Sequence, residues 1–191
     1  MIVVSAPSGA GKSTLCNKLL AESESLVYSI SCTTRKPRGQ EKHGVAYYFL
    51  SEEEFVARIE KGDFLENAVV HGNRYGTLRS TVEQALKQGK SIIMDIDVAG
   101  AAQVRDIIKN LPDDNLIRDS FIDIFITVPS IEELEARLNK RGEDAPDVIQ
   151  KRLNNAKGEI ARANEYQHIV INDDLERAYT ELCFILAEAS K

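Results

Sequence analysis

The sequence predicts an α/β fold with a central parallel sheet, and three observations support that prediction. A short β-branched run at residues 2–5 is followed by turn residues and then by a segment with the apolar periodicity of a helix. Further short apolar runs recur along the chain and alternate with helical patterns, as in parallel α/β sheets. The length of 191 residues suits one compact domain with small insertions.

The first elements follow from turn signals near the start of the chain. Residues 2–5 are predicted to form a strand that ends at a glycine-rich turn. A helix from Lys12 to about residue 21 follows, and residues 26–30 are predicted to form a second strand. A strand, a glycine-rich turn and a helix in this order open a parallel α/β sheet.

Residues 31–90 differ in character and are predicted to form an inserted, substrate-binding subdomain. A strand at 47–50 precedes a helix that begins with a capping box, in which Ser51 is followed three residues later by Glu54. A strand at 64–70, a turn and a further helix complete this insertion.

The second half of the chain contains three more apolar runs, which predict strands at 91–95, 121–128 and 169–171. Residues 112–120 are rich in polar and turn-forming residues, so we expect a surface loop there. A helix is predicted at 131–140 from its amphipathic pattern.

Two helices are predicted near the end of the chain, and Pro146 suits the first turn of one of them. Both segments carry apolar residues at helical spacing, which predicts the faces that they bury. These faces comprise Ile149, Leu153, Ala156, Ile160 and Ala163 in the first helix, and Leu175, Ala178, Leu182, Leu186 and Ala189 in the second.

Composition and charge narrow the functional class. The net charge of −6 disfavours a general nucleic-acid binder, whose footprint is usually basic. The three cysteines are odd in number, far apart in the sequence and without a C-x-x-C pair, which argues against a zinc site and a disulfide framework; they are Cys16, Cys32 and Cys183. No apolar run approaches the roughly 18 residues that a membrane span needs, and the start lacks a basic leader. We therefore expect a cytoplasmic protein without nucleic-acid or membrane partners.

A phosphate-binding loop is the strongest motif in the chain. The pattern G-x-x-x-x-G-K-[ST] places backbone N–H groups around nucleotide phosphates at the start of a helix. In this pattern Lys12 reaches the β- and γ-phosphates, and Ser13 supplies a hydroxyl to Mg²⁺. The motif alone leaves GTPases, ATPase motors and small-molecule kinases open. It reads Ala6-Pro7-Ser8-Gly9-Ala10-Gly11-Lys12-Ser13-Thr14, with Ala6 in place of the first glycine of the pattern.

A second group of residues combines a site for another anion with an acid in a strand. Arg35 and Arg38 flank a proline that stiffens their loop, and planar guanidinium groups bind phosphate oxygens in bidentate fashion. Glu66 is an acid inside an otherwise apolar strand, where it needs a partner.

These motifs resemble those of guanylate kinases in order and spacing, over essentially the whole chain. The matching segments are 6–13, Ser31-Cys32-Thr33-Thr34-Arg35-Lys36-Pro37-Arg38-Gly39, Gly44-Val45-Ala46-Tyr47-Tyr48-Phe49 and Asp95-Ile96-Asp97. The resemblance implies a P-loop NTPase three-layer core at 1–30, 91–136 and 165–191. It also implies a GMP-binding insertion at 31–90 and a short helical lid at 137–164. Glu66 resembles the glutamate with which guanylate kinases read guanine, and the resemblance implies that its carboxylate accepts from both N1–H and the amino group of that base, which adenine cannot offer together.

The resemblance further implies ATP and GMP as substrates, Mg²⁺ with ATP, and a set of site residues. Lys12 and the lid arginines are implied to be catalytic, although Arg137 is open to a second interpretation as a surface partner of Glu133. Ala99 stands where many relatives have glutamine, without loss of the neighbouring acids. The implied roles are as follows: catalysis by Lys12, Arg137, Arg141 and Arg152; ATP binding by residues 6–14 and Asn172; GMP binding by Ser31, Arg35, Arg38, Tyr47, Glu66, Tyr75, Thr77 and Asp97; metal binding by Ser13 and Asp95.

Two other functions compete with this hypothesis. Guanylate-kinase-like domains also serve as protein-interaction modules, but those typically have a damaged phosphate-binding loop, and Gly11-Lys12-Ser13 is intact here. A related kinase of a phosphorylated sugar would keep this loop but should lack Glu66 and the double-arginine loop. Between a monomer and a homodimer the sequence does not decide.

Overall fold

The structure is a computed structural model that describes residues 1–70, 72–142 and 144–189. Its chain forms two compact units. The first contains Met1, Ser25–Asp95 and Ala99–Phe121, and the second contains Ile2–Glu24, Ile96–Val98 and the residues from Ile122 onward. Four residues lie outside the described ranges: His71 of the predicted insertion, Glu143 of the predicted lid, and the last two residues of the predicted core.

Strands and helices alternate along most of the chain, as the sequence predicted. The strands are β1 (Ile2–Ser5), β2 (Leu26–Tyr28), β3 (Cys32–Thr33), β4 (Tyr48–Phe49), β5 (Phe64–Val70), β6 (Asn73–Leu78), β7 (Ser91–Asp95), β8 (Ile122–Thr127) and β9 (His168–Ile171). The helices are α1 (Lys12–Glu22), α2 (Glu52–Glu60), α3 (Arg79–Lys87), α4 (Val98–Lys109), α5 (Leu116–Asp119), α6 (Ile131–Arg141), α7 (Pro146–Ile160) and α8 (Leu175–Glu188), with a 3₁₀ turn at Ala163–Glu165.

The second unit is built on parallel strands. β1 pairs with β8, and β8 pairs with β9, so that Val4 lies opposite Ile124 and Ile126 lies opposite Val170. All of β1 and nearly all of β8 are buried, because helices cover parallel strands on both faces. β1 ends at Ser5, where the phosphate-binding loop begins.

The first unit contains a parallel pair, β2 with β7, and a separate four-stranded sheet with the order β4-β3-β6-β5. A small core supports this second sheet: Phe55 of α2 stacks on Phe64 of β5 with ring centroids 4.4 Å apart, next to buried Cys32. In the β5–β6 hairpin the register shifts between Phe64 and Glu66. β5 therefore forms one edge of this sheet, with an irregularity beside Glu66.

Local signals fixed several helix boundaries correctly. Ser51 accepts a hydrogen bond from the Glu54 N–H, and the Glu54 carboxylate accepts one from the Ser51 N–H, which confirms the predicted capping box. α7 begins at Pro146, as predicted. α8 buries Ala178, Leu182 and Ile185, whereas the predicted Leu175 and Ala189 are exposed and Leu186 is half-buried, so that part of the predicted face was wrong.

Other elements differ from the prediction. Residues 112–120 were expected to form a loop but contain the short helix α5, because Asn115 caps it by accepting from the Ile117 N–H. The Ile117 side chain is buried, which anchors this turn in the first unit. β3, β6 and α4 had no predicted counterpart. β3 has only two residues and β6 is largely polar, so both carry little periodic signal. α4 is a 12-residue helix that buries Ala101, Val104 and Ile108, and the prediction overlooked it. Over the described residues, no helix combines the length and apolar character that crossing a membrane requires.

Candidate active site

The phosphate-binding loop, defined here as residues 6–14, connects β1 to α1 in the second unit. Gly9 and Gly11 have φ values of +96° and +91°, which favour glycine because a side chain is strained there. α1 begins at Lys12 without a side-chain cap, so its first N–H groups are available to an anion. The loop therefore has the backbone of an anion cradle.

Asn172, which follows β9, supports this loop from behind. Its side chain is buried, and its Nδ2 donates to the Ala10 carbonyl at 2.7 Å. A Cβ built on Gly11 would lie 2.3 Å from the same Nδ2. Gly11 thus allows both a positive φ and the close approach of Asn172. The predicted contact of Asn172 with adenine stays a prediction.

The phosphate-binding loop lines a cavity of about 600 Å³ in the second unit. Basic and hydroxyl side chains meet here at a helix N-terminus, which favours a polyanion and the metal ion that accompanies it. The lining residues are Ala6, Pro7, Ser8, Gly9, Gly11, Lys12, Ser13, Thr14, Arg137, Arg141 and Glu159. Of the predicted ATP-binding residues, Ala10 and Asn172 do not line it.

The predicted lid arginines have distinct partners. Arg137 donates to Glu133 at 2.9 Å and to the Asn172 carbonyl at 2.8 Å, so it is an ion-pair partner as well as a cavity residue. Arg152 joins the lid to the phosphate-binding loop, because it donates to Ser8 Oγ at 3.1 Å and to Asp144 at 3.1 Å.

Glu159 of α7 is an acid in this cavity that the sequence analysis missed. Burial raises the pKa of its carboxyl group, the like charge of Asp97 adds to that rise, and Lys12 opposes it. Glu159, Asp97 and Lys12 therefore belong to one electrostatic group in the second unit. Asp97 itself is exposed, and its negative charge also helps to raise the pKa of Arg162.

The first unit contains a separate cationic site around Arg35. This arginine is buried, with only 9 % of its surface exposed. Its guanidinium carbon lies 5.3 Å from the ring centroid of Tyr47 and 6.0 Å from that of Phe49. The rings of Tyr47 and Tyr75 make an edge contact with centroids 5.9 Å apart. Three of the residues predicted to hold the acceptor phosphate, Arg35, Tyr47 and Tyr75, are thus brought together.

Glu41 is the residue that orients Arg35, and the sequence analysis did not assign it a role. Its two carboxylate oxygens accept from Nη1 and Nη2 of Arg35 at 3.0 and 2.9 Å. One of them also accepts from the Arg38 N–H at 2.7 Å. These hydrogen bonds, led by that from Arg35, lower the pKa of Glu41. Nη1 of Arg35 also donates to the Lys36 carbonyl at 2.9 Å, so three of the five N–H donors of this guanidinium are used within the loop.

A buried polar group lies on the β5–β6 hairpin. Glu66 and Thr77 are paired across the hairpin and are 6 % and 1 % exposed. Within the described residues the Thr77 hydroxyl has no hydrogen-bond partner, although such buried groups are usually satisfied. Gly76 fits between them and the small core, because a Cβ there would lie 2.9 Å from the Glu66 carbonyl oxygen.

Three further predicted site residues are Ser31, Arg38 and Asp95. Ser31 is half-buried and precedes β3, and its carbonyl accepts from the Tyr48 N–H at 2.9 Å. Arg38 is exposed, so its side chain is accessible to a ligand. Asp95 is half-buried at the carboxyl end of β7. Strand ends of this kind carry ligand-binding residues in parallel sheets.

Comparisons with known proteins identify the family of this chain. The family profile described as Guanylate kinase matches residues 1–189. A guanylate kinase of Polaromonas sp. strain JS666 is 46 % identical over 182 residues, which cover 95 % of this chain and 84 % of that protein. A guanylate kinase of Fusobacterium nucleatum is 44 % identical over 191 residues, which cover 100 % of this chain and 97 % of that protein.

A solved structure gives the same result at the level of the fold. The crystal structure of guanylate kinase from Anaplasma phagocytophilum superposes with a TM-score of 0.71 at 34 % identity, and the match covers 100 % of this chain and 86 % of that one. This likeness confirms the predicted α/β fold with a central parallel sheet. The profile match and the identities together show that the chain belongs to the guanylate kinase family.

Proposed function

We propose that this protein transfers the γ-phosphoryl group of ATP to GMP, giving ADP and GDP, with dGMP as a second acceptor. The observation that carries this proposal is the presence of two anion sites in one member of the guanylate kinase family. One is the phosphate-binding loop in its cavity, and the other is the buried Arg35 with its aromatic neighbours. A donor and an acceptor nucleotide each require such a site.

On the donor side, the phosphate-binding loop holds the triphosphate of ATP. Backbone N–H groups at the start of α1 and the ammonium of Lys12 neutralise the β- and γ-phosphates. Arg137, Arg141 and Arg152 of the predicted lid stabilise the charge that develops on the transferred group. Removal of such an arginine commonly lowers the rate on the order of 10³-fold.

Ser13 and Asp95 are the residues proposed to hold Mg²⁺, Ser13 directly and Asp95 through water. Ser13 fits this role because it lines the cavity beside Lys12 and carries a hydroxyl oxygen, and Mg²⁺ prefers oxygen ligands. Asp95 fits because its carboxylate stands at a strand end. When bound, Mg²⁺ would supply positive charge that neutralises the phosphoryl group being transferred.

On the acceptor side, Arg35, Arg38, Tyr47 and Tyr75 hold the phosphate of GMP. One of its oxygens attacks the γ-phosphorus, and the bond from that phosphorus to the β–γ bridging oxygen breaks, leaving ADP. The attacking oxygen is already anionic near neutral pH, so positioning and charge neutralisation suffice without a strong general base.

Glu66 is proposed to read the guanine base, with Ser31, Thr77 and Asp97 as further contacts. The Glu66 carboxylate accepts from two guanine donors, and the unpartnered hydroxyl of Thr77 gains a partner when the base is bound. A site that hydrogen-bonds the donors of its substrate discriminates strongly against bases that lack them.

A coupled assay with ATP and each of GMP, dGMP, AMP, UMP and CMP tests the proposal. We expect turnover with GMP and dGMP, at least 10²-fold above the other acceptors in kcat/KM. Lys12→Ala should abolish turnover with every acceptor, whereas Glu66→Gln should erode the preference for guanine. A protein that fails to turn over GMP but binds ATP would support a sugar-phosphate kinase, and one that binds no ATP would support an interaction module.

A further inference from the structure

We infer that Gln103 of α4 is a positioning residue for guanine recognition, because it fixes the backbone of β5 beside Glu66. Its side-chain Oε1 accepts from the Asn67 N–H at 3.1 Å, and its Nε2 donates to the Asn67 carbonyl at 3.0 Å. The backbone N–H and C=O of this one residue are therefore both held by a single side chain. This inference rests on the proposed role of Glu66.

The position of β5 explains why such a contact is needed. β5 is an edge strand, so every second residue presents an N–H and a C=O that no neighbouring strand can satisfy. The Gln103 amide takes the place of a neighbouring strand at Asn67. These two hydrogen bonds together are called the clamp.

The clamp acts where the strand is least regular. The β5–β6 register shifts between Phe64 and Glu66, directly before the clamped residue. Such an irregularity loosens the ladder and changes the direction of a side chain. On the other side of β5, a close approach to Gly76 limits movement of the Glu66 backbone. Glu66 is thus held between a tight contact to β6 and the clamp.

The chemistry of the base makes this precision relevant. Two parallel hydrogen bonds from guanine to one carboxylate require the carboxylate to keep a fixed plane and distance. A shift of the β5 backbone would misplace both bonds together, whereas ATP binding in the second unit would be untouched. Gln103 therefore tunes the affinity for guanine without contacting it.

Steady-state kinetics of two Gln103 variants test this inference. Gln103→Met keeps the length of the side chain and its helix propensity but removes both hydrogen bonds, and Gln103→Ala removes the side chain as well. We expect the KM for GMP to rise about tenfold and the ratio of kcat/KM for GMP over AMP to fall about tenfold, with kcat and the KM for ATP within about twofold of the parent. Gln84→Ala, an exposed glutamine on α3, is the matched control and should change none of these values.

A direct readout accompanies the kinetics. Hydrogen exchange of the Asn67 amide should accelerate in both Gln103 variants, because they lose the side-chain oxygen that accepts from this amide. It should not accelerate in Gln84→Ala. A purely structural role would lower the amount of active enzyme but would leave the KM for GMP and the GMP-to-AMP ratio unchanged.

Glu66→Gln in the same assay separates the two proposals. If Glu66→Gln and both Gln103 variants lower the GMP-to-AMP ratio, the inference is supported. If Glu66→Gln lowers it and the Gln103 variants do not, the clamp has no part in recognition and the inference is overturned, while the proposed role of Glu66 stands. If Glu66→Gln leaves the ratio intact, the assignment of the base reader is wrong and the inference falls with it.

Discussion

Replacing Gly11 with alanine should destabilise the protein by about 2–5 kcal/mol, because the added methyl group meets two separate obstacles. The first is conformational: Gly11 has a φ of +91°, and a side chain in this region is strained by about 1–2 kcal/mol. The second is steric: the new Cβ would lie 2.3 Å from Asn172 Nδ2.

The steric obstacle also has a hydrogen-bond consequence. Asn172 is buried and donates to the Ala10 carbonyl at 2.7 Å, so moving it leaves both groups without their partner. An unsatisfied buried group of this kind costs about 1–3 kcal/mol. The two contributions together give the expected range for Gly11→Ala.

Equilibrium unfolding in urea can separate these contributions. Gly89→Ala is the matched control, since Gly89 has a φ of +70° and a Cβ there would have no neighbour within 4 Å. It should cost about 1–2 kcal/mol, the strain alone. In an Asn172→Ala background, Gly11→Ala should likewise cost only about 1–2 kcal/mol. The reasoning is refuted if Gly11→Ala costs no more than Gly89→Ala, or if removing Asn172 does not reduce its cost.

Three further predictions concern the titratable and polar groups of the two sites. Glu41→Gln should raise the KM for GMP about tenfold in steady-state assays, because Arg35 loses a charged partner. The variant should also have a lower free energy of unfolding in urea than the parent. Since Arg35 lowers the pKa of Glu41 below its usual 4.5, this difference should shrink as the pH falls below 4.5. Glu159→Gln should have the opposite effect on stability. Burial and the charge of Asp97 raise the pKa of Glu159, so its charged form is disfavoured in the folded protein. The variant should therefore have a higher free energy of unfolding than the parent at pH 7 but not at pH 4. Thr77→Val should raise the unfolding free energy of the unliganded protein by about 1 kcal/mol and yet weaken GMP binding in calorimetry, and a loss of stability would contradict the idea that its hydroxyl waits for a ligand.

The backbone of the phosphate-binding loop was predictable from the sequence because its constraints are local. Positive φ angles demand glycine at positions 9 and 11, and the helix that begins at Lys12 supplies the N–H groups. The cap of α2 was predictable for the same reason, since Ser51 and Glu54 satisfy each other over three residues.

The acceptor side was only partly predictable. The double-arginine loop stood out by composition, but the partner of Arg35 did not, because several acidic and carbonyl groups along the chain were equally plausible acceptors. Only the folded loop brings the Glu41 carboxylate within hydrogen-bond distance of the Arg35 guanidinium. The folded loop also lets the same carboxylate accept from the Arg38 N–H. Glu159 escaped notice for a related reason: its neighbours Lys12 and Asp97 are remote in sequence.

Gln103 shows why some positioning residues cannot be found in a sequence. Its amide binds the N–H and C=O of Asn67, and every residue except proline offers these two groups, so the side chain at position 67 carries no signal. The same reasoning gives a sharp expectation. Asn67→Ala keeps both peptide groups and should leave the GMP-to-AMP ratio of kcat/KM within about twofold of the parent, whereas Gln103→Met should lower it about tenfold. Equal losses in the two variants would mean that side-chain packing at this edge of β5, and not the clamp, holds Glu66 in place.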